Sequence, residues 1–312
     1  MNQYSRYLLM IRPNRFAYNK QTALNNFYQK KEPDADETQI AKKAIEEFDV
    51  FVSVLKNNGV NVIVFEDNLT PHTPDSVFPN NWISFHCCGT VFLYPMFAQN
   101  RREERREDIL KALQECFLFN VQDVVDFTEN EKNNRFLEGT GSMVLDRENK
   151  ICYAALSSRT DEDLVVQFCE KMSYEPCIFH AYQLVSQKKE SIYHTNVMMC
   201  LADKYVVICL DCVYDEKEKE MLLSLFKKTN KEVIEITENQ KRHFAGNMLQ
   251  VQGNDVFLVM SSTAYKSLDK GQIDRIEKYN SIIHVPLNTI EENGGGSARC
   301  MIAEVFLQKN KS

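Results

Sequence analysis

The sequence predicts an α/β protein in which one structural unit occurs five times and the repeats close into a ring. Two observations predict this fold. A pattern of strand, polar turn, strand, helix and strand recurs every 51–60 residues along the chain. A further first strand begins near residue 298, and residues 1–66 supply the elements that it lacks. We therefore expect pseudo-fivefold repeats, with helices outside and first strands around the axis.

Four units begin near residues 81, 141, 196 and 247. In each unit, two β-prone runs flank a short polar turn of the kind that hairpins use, and a helical pattern then leads to a third strand. The charged run that contains Arg101 and Arg105 is interpreted as the solvated face of one helix. The predicted helices are 38–57, 101–114, 161–172, 215–228 and 270–279.

The fifth unit combines the two ends of the chain. Its first strand is SARCMIAEVFLQ, near residue 298, and its second strand, helix and third strand lie within residues 1–66. Units shared between chain ends favour closure, so we expect a single catalytic domain over 1–312. The alternative is two ordinary α/β domains joined near residue 185, where the segment 186–191 is polar.

Charge and hydropathy exclude several classes of partner. The chain has 37 Lys and Arg against 44 Asp and Glu, a net charge of −7, so it lacks the basic surface that nucleic acids and anionic membranes require. No apolar run approaches the ~18–20 residues of a membrane span, and no signal peptide is recognisable. We expect a cytoplasmic protein, monomeric or homodimeric, that acts on a small molecule.

The cysteines and histidines do not predict a metal site or another cofactor. Ten cysteines are scattered along the chain, mostly in apolar stretches, where free thiols pack as small hydrophobes. Cys209 and Cys212 have redox or zinc spacing, but no second pair and no nearby histidine accompany them, so they are interpreted as buried thiols. Five further histidines lack metal-ligand spacing; they are His72, His86, His180, His243 and His284.

Chemically versatile residues collect where the units begin. Glu138, His194 and Cys300 lie at comparable offsets, and a thiol, an imidazole and a carboxylate are the set that covalent thiol catalysis uses. Each residue alone has a structural explanation, as a turn carboxylate, a core histidine or a core thiol. Glycine is scarce, at 10 of 312 residues, yet six glycines fall where units begin, beside Glu138, Asn247 and Cys300. Their coincidence favours an active site.

The motifs at these positions resemble those of the guanidino-group-modifying enzymes, the pentein superfamily. The family pattern is F-x-R-D, then E-G-x-D, then H-x-D, then a glycine-rich loop that ends in cysteine. Here the four read Phe78-Pro-Asn-Asn81, Glu138-Gly-Thr-Gly141, His194-Thr-Asn196 and Gly-Gly-Gly-Ser-Ala-Arg-Cys300. The resemblance implies a five-bladed α/β propeller with its active site on the axis. It further implies that Cys300 is the nucleophile, His194 the general acid and base, and Glu138 the carboxylate that orients His194 and binds a substrate nitrogen.

The departures from the family pattern concern the substrate. Two aspartates that bind a guanidinium group in the family are replaced by Asn81 and Asn196. An amide can also donate a hydrogen bond, so it accommodates a neutral ureido group better than two carboxylates would. The stretch from Arg12 to Asn26, the segment FPNNW and the loop GGGSARCM look like the citrulline-utilisation hydrolases. The resemblance therefore implies hydrolysis of citrulline, or a close analogue, to ornithine, ammonia and carbon dioxide through an S-carbamoyl enzyme.

Several alternatives stay open at this point. A guanidino substrate would make the chain an arginine deiminase, a dimethylargininase or an amidinotransferase, and a non-catalytic propeller of the same family is a third possibility. Asp75, just upstream, competes with Asn81 for the family aspartate position. The expected substrate-binding residues are Asn81, Asn196, Asp75, Phe78, Asn247 and Arg299. For a substrate carboxylate, the arginines considered are Arg159, Arg242 and Arg299.

Overall fold

The computed structural model describes residues 2–30 and 36–310, and its strands form five three-stranded sheets and one two-stranded hairpin. In each three-stranded sheet, the first strand in the order below pairs antiparallel with the second, and the second pairs parallel with the third. The hairpin consists of β9 (Tyr182–Val185) and β10 (Lys188–Ser191). The sheets are β17–β1–β2 (Ala303–Val305, Tyr7–Arg12, Asn61–Glu66), β3–β4–β5 (Ile83–Phe85, Thr90–Leu93, Asp123–Asp126), β6–β7–β8 (Met143–Asp146, Ile151–Ala155, Glu175–Phe179), β11–β12–β13 (Met199–Leu201, Tyr205–Ile208, Glu232–Glu235) and β14–β15–β16 (Leu249–Gln252, Val256–Ser261, Ser281–Val285).

The sheet formed by the chain ends has the same plan as the others. β17 aligns Val305 with Tyr7 of β1 in an antiparallel pair, and β1 aligns Tyr7 with Asn61 of β2 in a parallel pair. The C-terminal strand therefore takes the first position and the N-terminal strand the second. This pairing is the one expected from the sequence for the two chain ends.

Helices connect the strands and pack against the sheets. Four of them, α1, α5, α6 and α9, begin after an aspartate whose side chain accepts a backbone N–H of the first turn, a cap that contributes about 1 kcal/mol. The helices are α1 (Glu37–Asn57), α2 (Gln99–Arg102), α3 (Glu107–Glu115), α4 (Gly139–Ser142), α5 (Glu162–Met172), α6 (Glu216–Lys228), α7 (Glu238–Arg242), α8 (Ser262–Ser267), α9 (Lys270–Glu277) and α10 (Asn288–Gly294), with 3-10 turns at Thr22–Leu24, Pro79–Asn81, Thr128–Asn133, Thr195–Val197 and Leu210–Cys212.

Four of the five predicted helices agree with the structure to within two residues at each end, and the fifth does not. The predicted helix 101–114 is interrupted between α2 and α3. Arg101 and Glu104 are buried at the interruption rather than displayed on a solvated face. The interpretation of this run as solvated was therefore wrong for these two residues, because tertiary contacts outweigh the surface preference of charged side chains.

The polar segment 186–191 is also part of a regular element. It forms the turn and the second strand of the β9–β10 hairpin, so it is not an extended connection between domains. Within the residues that the structure describes, no helix is long and apolar enough to cross a membrane.

Candidate active site

Short helical turns precede three of the first strands and bring the predicted residues together. The turn Pro79–Asn81 and the turn Thr195–Val197 both contact α4, which follows Glu138. As a result, Asn81, His194 and Cys300 line one small pocket, closed by the loop 294–296 and by Thr22 and Asn26 of the N-terminal segment. The pocket has a volume of about 10 Å³.

His194 and Glu138 form a buried pair. His194 Nε2 lies 2.8 Å from Glu138 Oε2, and both side chains are at most 3% exposed. Burial disfavours the charged carboxylate, but Arg159, the His194 hydrogen bond and Arg101 outweigh it and hold the pKa of Glu138 well below its usual range. Burial lowers the pKa of His194 to about 4, against the opposing effect of Glu138.

The tautomer of His194 follows from this pairing. An ionised carboxylate only accepts hydrogen bonds, so the neutral imidazole carries its proton on Nε2 and donates it to Glu138. Nδ1 is left as the basic nitrogen. Gly141 makes room beside it, since a Cβ on Gly141 would lie 2.7 Å from His194 Nδ1 and 2.5 Å from Asn81 Nδ2. The resting site therefore offers a neutral base.

Two amides contact the Cys300 thiol. Asn247 Nδ2 lies 3.2 Å and Asn196 Nδ2 lies 3.5 Å from Cys300 Sγ. Asn247 Oδ1 in turn accepts the backbone N–H of Arg299 at 3.1 Å and that of Cys300 at 3.4 Å. N–H donors directed at sulfur stabilise negative charge there. Both amides therefore contact the thiol, and neither side chain lines the pocket.

Asn81 lies in the pocket wall, where Arg101 fixes its orientation. Arg101 Nη1 donates to Asn81 Oδ1 at 2.7 Å, while Arg101 Nε and Nη2 donate to Glu104 at 2.8 and 2.9 Å. The amide oxygen is thereby engaged, and the buried Asn81 Nδ2 has no hydrogen-bond partner among the described residues. Asn81 therefore presents a free donor.

Asp75 and Phe78 complete the same wall. Asp75 Oδ2 accepts from Asn19 Nδ2 at 2.8 Å and from Thr22 Oγ1 at 3.0 Å, and its Oδ1 has no partner within the described part of the chain. Burial raises the pKa of Asp75, although Arg101 opposes that effect. Phe78 packs on the glycine-rich loop, since a Cβ at Gly294 or Gly296 would come within 2.8 Å of its ring.

Of the three arginines considered for a carboxylate, only Arg159 lines the pocket. It donates to Glu138 Oε2 at 3.3 Å and to the Thr22 carbonyl at 3.0 Å, and it also bonds Asn25. Arg299 instead donates to Glu304 at 3.1 Å and to the Ile302 carbonyl at 2.9 Å, and it lines a separate cavity. Arg242 is half-exposed and pairs with Glu238.

Sequence reasoning missed three contributors to the pocket. Arg101 was assigned to a solvated run, and its spacing of three from Glu104 was the signal available, because that spacing permits an ion pair on one turn. The Tyr193 ring packs at a tilt against His194, with ring centroids 4.7 Å apart, and its hydroxyl donates to the Gly295 carbonyl at 2.8 Å. Thr22 lines the pocket as well. It belongs to the stretch from Arg12 to Asn26, which entered the sequence analysis only as part of the family resemblance.

The other nine cysteines lie outside the lining of the pocket. Cys209 and Cys212 are both buried, with their sulfur atoms 3.2 Å apart. Throughout residues 2–30 and 36–310, no three His, Cys, Asp or Glu side chains are grouped so that they could hold a metal ion.

Comparison with known proteins identifies relatives at two levels. The family model described as "N,N dimethylarginine dimethylhydrolase, eukaryotic" matches residues 12–307. No curated protein sequence matches the chain.

Solved structures show the same fold at low identity. The substrate-bound N-terminal domain of a mutant of ArgZ, an arginine dihydrolase from cyanobacteria, has a TM-score of 0.72 at 19% identity, covering 96% of this chain and 97% of that domain. Unliganded AgrE has a TM-score of 0.70 at 19% identity, covering 96% of this chain and 39% of its own. A dimethylarginine dimethylaminohydrolase adduct with S-methyl-L-thiocitrulline has a TM-score of 0.65 at 16% identity, covering 96% and 99%. The chain spans about 40% of full-length ArgZ.

Proposed function

Because the chain belongs to the eukaryotic N,N-dimethylarginine dimethylhydrolase family and is thus a hydrolase of carbon–nitrogen bonds, we propose that it hydrolyses the ureido group of citrulline or a close analogue through Cys300. Family membership also argues against the non-catalytic propeller. The expectation of a guanidino-modifying superfamily is confirmed.

One observation carries the choice of citrulline. Arg101 engages the Asn81 oxygen, so that the amide directs an unpartnered N–H donor into the pocket wall. A ureido group has a carbonyl oxygen that accepts such a bond, whereas a guanidinium presents only donors. Arg101 Nε lies 3.9 Å from Asp75 Oδ2, and Arg101 Nη1 lies 4.0 Å from Glu138 Oε2. Because this positive charge already lies beside both carboxylates, it disfavours binding of a second cation.

The proposed reaction has two stages. The Cys300 thiol gives its proton to His194 Nδ1 and attacks the ureido carbon, with the developing oxyanion held by Asn81. The imidazolium, stabilised by Glu138, then protonates the departing nitrogen, so that ornithine leaves and an S-carbamoyl enzyme forms. His194 next takes a proton from water, whose oxygen attacks the S-carbamoyl carbon; the carbon–sulfur bond breaks, carbamate leaves, and His194 returns its proton to the Cys300 sulfur. Carbamate decomposes to ammonia and carbon dioxide. The residues require no metal or organic cofactor in these steps.

The roles of the other polar residues follow from their contacts. Asn196 and Asn247 donate to the Cys300 sulfur, so we assign them to stabilising the thiolate rather than to binding the ureido group. Asp75 Oδ1 is free to accept a ureido N–H. We assign the substrate carboxylate to Arg159, whose bonds to Thr22 and Asn25 join it to the segment above the pocket. A volume of about 10 Å³ holds no more than one water molecule, so that segment must move to admit substrate.

A second candidate is hydrolysis of arginine. The ArgZ and AgrE structures of the same fold are those of an arginine dihydrolase and of a protein complexed with L-arginine, and the carboxylate of Asp75, which lines the pocket, could face a guanidinium. Both candidates use the same nucleophile and release ornithine, whereas a deiminase would release citrulline.

We infer that the molecule is one closed domain over 1–312, a five-bladed α/β propeller with the pocket on its axis. The equivalent plan of the five sheets and the contacts of β17 with β3, β6 with β11, and β11 with β14 support this inference. A cytoplasmic location and a monomeric or dimeric state remain parts of the same proposal.

A substrate panel tests the function. Purified protein is incubated with citrulline, arginine or asymmetric dimethylarginine, and ornithine, citrulline and ammonia are measured by mass and colorimetry. We expect equimolar ornithine and ammonia from citrulline and no turnover of dimethylarginine. Turnover of arginine without turnover of citrulline would contradict the proposal.

The assignment of Cys300 has its own test. Cys300→Ala should abolish ornithine release, because no other thiol lines the pocket, whereas Cys116→Ala at an exposed position should leave it unchanged. Equal activity of wild type and Cys300→Ala would disprove the assignment.

A further inference from the structure

A second, much larger cavity lies beside the catalytic pocket. It has a volume of about 630 Å³, within the range typical of small-molecule sites, and it opens on the surface. Its walls come from the N-terminal segment, the β9–β10 hairpin, α7 and its C-terminal end, and α10. The proposed reaction gives it no role.

Two buried donors in this wall have no partner among the described residues. Gln183 is 4% exposed; its Oε1 accepts from the buried Lys241 Nζ at 3.3 Å, which leaves Nε2 unpaired. The Tyr28 hydroxyl is likewise buried and unpaired. Burial raises the pKa of Tyr28 well above its usual value, so the hydroxyl keeps its proton. An unsatisfied buried polar group destabilises the folded protein, and a ligand with acceptor atoms would remove that cost.

The charges and the apolar side chains of the cavity define the rest of the ligand. Arg242 and Lys30 supply positive charge, while Glu291 and Glu292 lie on the α10 side. Glu291 is already bonded to Ser297 at 2.6 Å. Phe27, Leu184 and Phe244 contribute apolar surface, and Phe27 and Leu184 are exposed there.

We propose that this side cavity binds an α-carboxylate that carries an apolar side chain, with the carboxylate on the exposed Arg242 and on Gln183 Nε2 and the Tyr28 hydroxyl, which lie buried just beneath the cavity wall and must turn toward the ligand. Two sources share this chemistry, a free apolar amino acid and the C-terminal residue of a peptide. Their difference is the α-ammonium group, which Glu292 would attract in the free amino acid.

The side cavity shares two walls with the catalytic pocket. Asn26 lines the pocket and the adjacent Phe27 and Tyr28 line the cavity; α10 borders the cavity at Glu291 and the pocket at Gly294. The Tyr28 ring also contacts Tyr193, with centroids 6.2 Å apart. A ligand that bridges both walls would therefore act on the same two segments that border the catalytic pocket, and by linkage we expect it to change substrate affinity.

Binding is tested on catalytically inactive protein, so that the result does not depend on the proposed function. Cys300→Ser protein is titrated calorimetrically with L-phenylalanine and with N-acetyl-L-phenylalanine, and N-acetyl-L-phenylalaninamide serves as the probe without a carboxylate. We expect one site for at least one carboxylate and at least tenfold weaker binding of the amide. Absence of binding by both carboxylates, or displacement of them by citrulline, would overturn the proposal. Tighter binding of the free amino acid identifies that source, and tighter binding of the acetylated form identifies a peptide end.

Two variants locate the site without removing a contact that the fold uses. Gln183→Glu keeps the acceptor for Lys241 but replaces the donor with negative charge, and Tyr28→Phe removes only the unpaired hydroxyl. Each should weaken binding of the carboxylate probe at least tenfold, whereas Gln308→Glu, the same charge change at an exposed position, should not. Unchanged binding by both variants would place the probe elsewhere and overturn the assignment.

The coupling is measured separately and rests on the proposed function. With wild-type protein, a saturating carboxylate probe should change the KM for citrulline severalfold, and Gln183→Glu should remove this effect. An unchanged KM despite calorimetric binding would refute the coupling and leave the binding site intact.

Discussion

At the residue scale, the ligand groups that the pocket can bind depend on which atoms of each side chain already have a hydrogen-bond partner. Asn81 is ambiguous as a sequence letter, since an amide both donates and accepts. Its oxygen is taken by Arg101, and only the donor is left for a ligand. The same reasoning assigns Nδ1 of His194 as its base, because Nε2 faces Glu138.

Arg101 should therefore be required although it need not touch the substrate. In Arg101→Lys, one ammonium cannot reproduce the fork that holds both Glu104 and Asn81, so the Asn81 amide loses its fixed orientation. We expect kcat/KM for citrulline to fall roughly 100-fold, as for a displaced catalytic group. Arg135→Lys, in a partly exposed ion pair with Asp161, is the matched control and should change little. Equal activities would remove Arg101 from this role.

The lowered pKa of His194 predicts the acid limb of the pH profile. The base must be neutral to accept the thiol proton, and the free enzyme protonates it only as the pH falls through about 4. Activity in kcat/KM should consequently persist below the ordinary histidine pKa of about 6.5 and be lost near pH 4–5. The measurement is kcat/KM for citrulline against pH, with circular dichroism at each pH to confirm folding. An acid limb at pH 6–7 in folded protein would contradict this prediction.

At the element scale, the short turns before the first strands place the functional groups. The one-turn helix α4 contains Gly141, whose missing side chain leaves room for Asn81 and His194. Many sequences could form strands this short. The approach of the three turns to one point is more demanding, because it leaves no room for a Cβ at residue 141. The presence of one of the few glycines of the chain at this position thus has a local explanation.

Gly141→Ala should damage catalysis more than stability. Its Cβ would come within 2.5 Å of Asn81 Nδ2 and 2.7 Å of His194 Nδ1, so these side chains must shift. We expect at least a tenfold loss of kcat with a single unfolding transition retained. Gly271→Ala in α9 is the control, since its nearest contact is 3.2 Å and alanine favours a helix by up to about 1 kcal/mol. Unchanged kcat in Gly141→Ala would show that the two side chains tolerate the shift.

At the scale of the whole molecule, both chain ends belong to one sheet, and the ring that we infer depends on that pairing. Val305 of β17 is buried and opposes Tyr7 of β1. The lone tryptophan, Trp82, lies buried beside the next first strand and can report unfolding there. A closed domain should lose both regions together.

Val305→Ala should lower the free energy of unfolding by about 2 kcal/mol, because it removes two buried methyl groups. Urea unfolding followed by Trp82 fluorescence and by far-UV circular dichroism should shift to the same lower midpoint. Val124→Ala, at an exposed strand position, should have little effect. Two separate transitions, with Trp82 unaffected by Val305→Ala, would indicate independent domains.

Much of the architecture and the position of the site could be predicted from repetition. The recurrence of strand, turn, strand, helix and strand located the five sheets, and four helices followed from apolar spacing, for example Ala44, Phe48, Phe51 and Leu55 on α1. The interrupted helix at Arg101 could not be predicted, because a run of charged residues has the same composition whether its side chains are solvated by water or paired with a buried carboxylate. Arg299, expected near the substrate, faces Glu304 instead, since neighbouring residues of the turn before β17 point in different directions and sequence adjacency to Cys300 does not fix which.

The sequence alone determined the repeat, the pairing of the chain ends and the set of Cys300, His194 and Glu138, because periodicity and residue type are properties of the chain itself. Only the tertiary structure decided what each group faces. It turned the Asn81 donor inward, placed Asn196 and Asn247 on the Cys300 sulfur and buried Arg101 beside Asp75 and Glu138. These outcomes depend on distances between segments far apart in sequence, over which hydrogen bonds and charges act within a few ångströms.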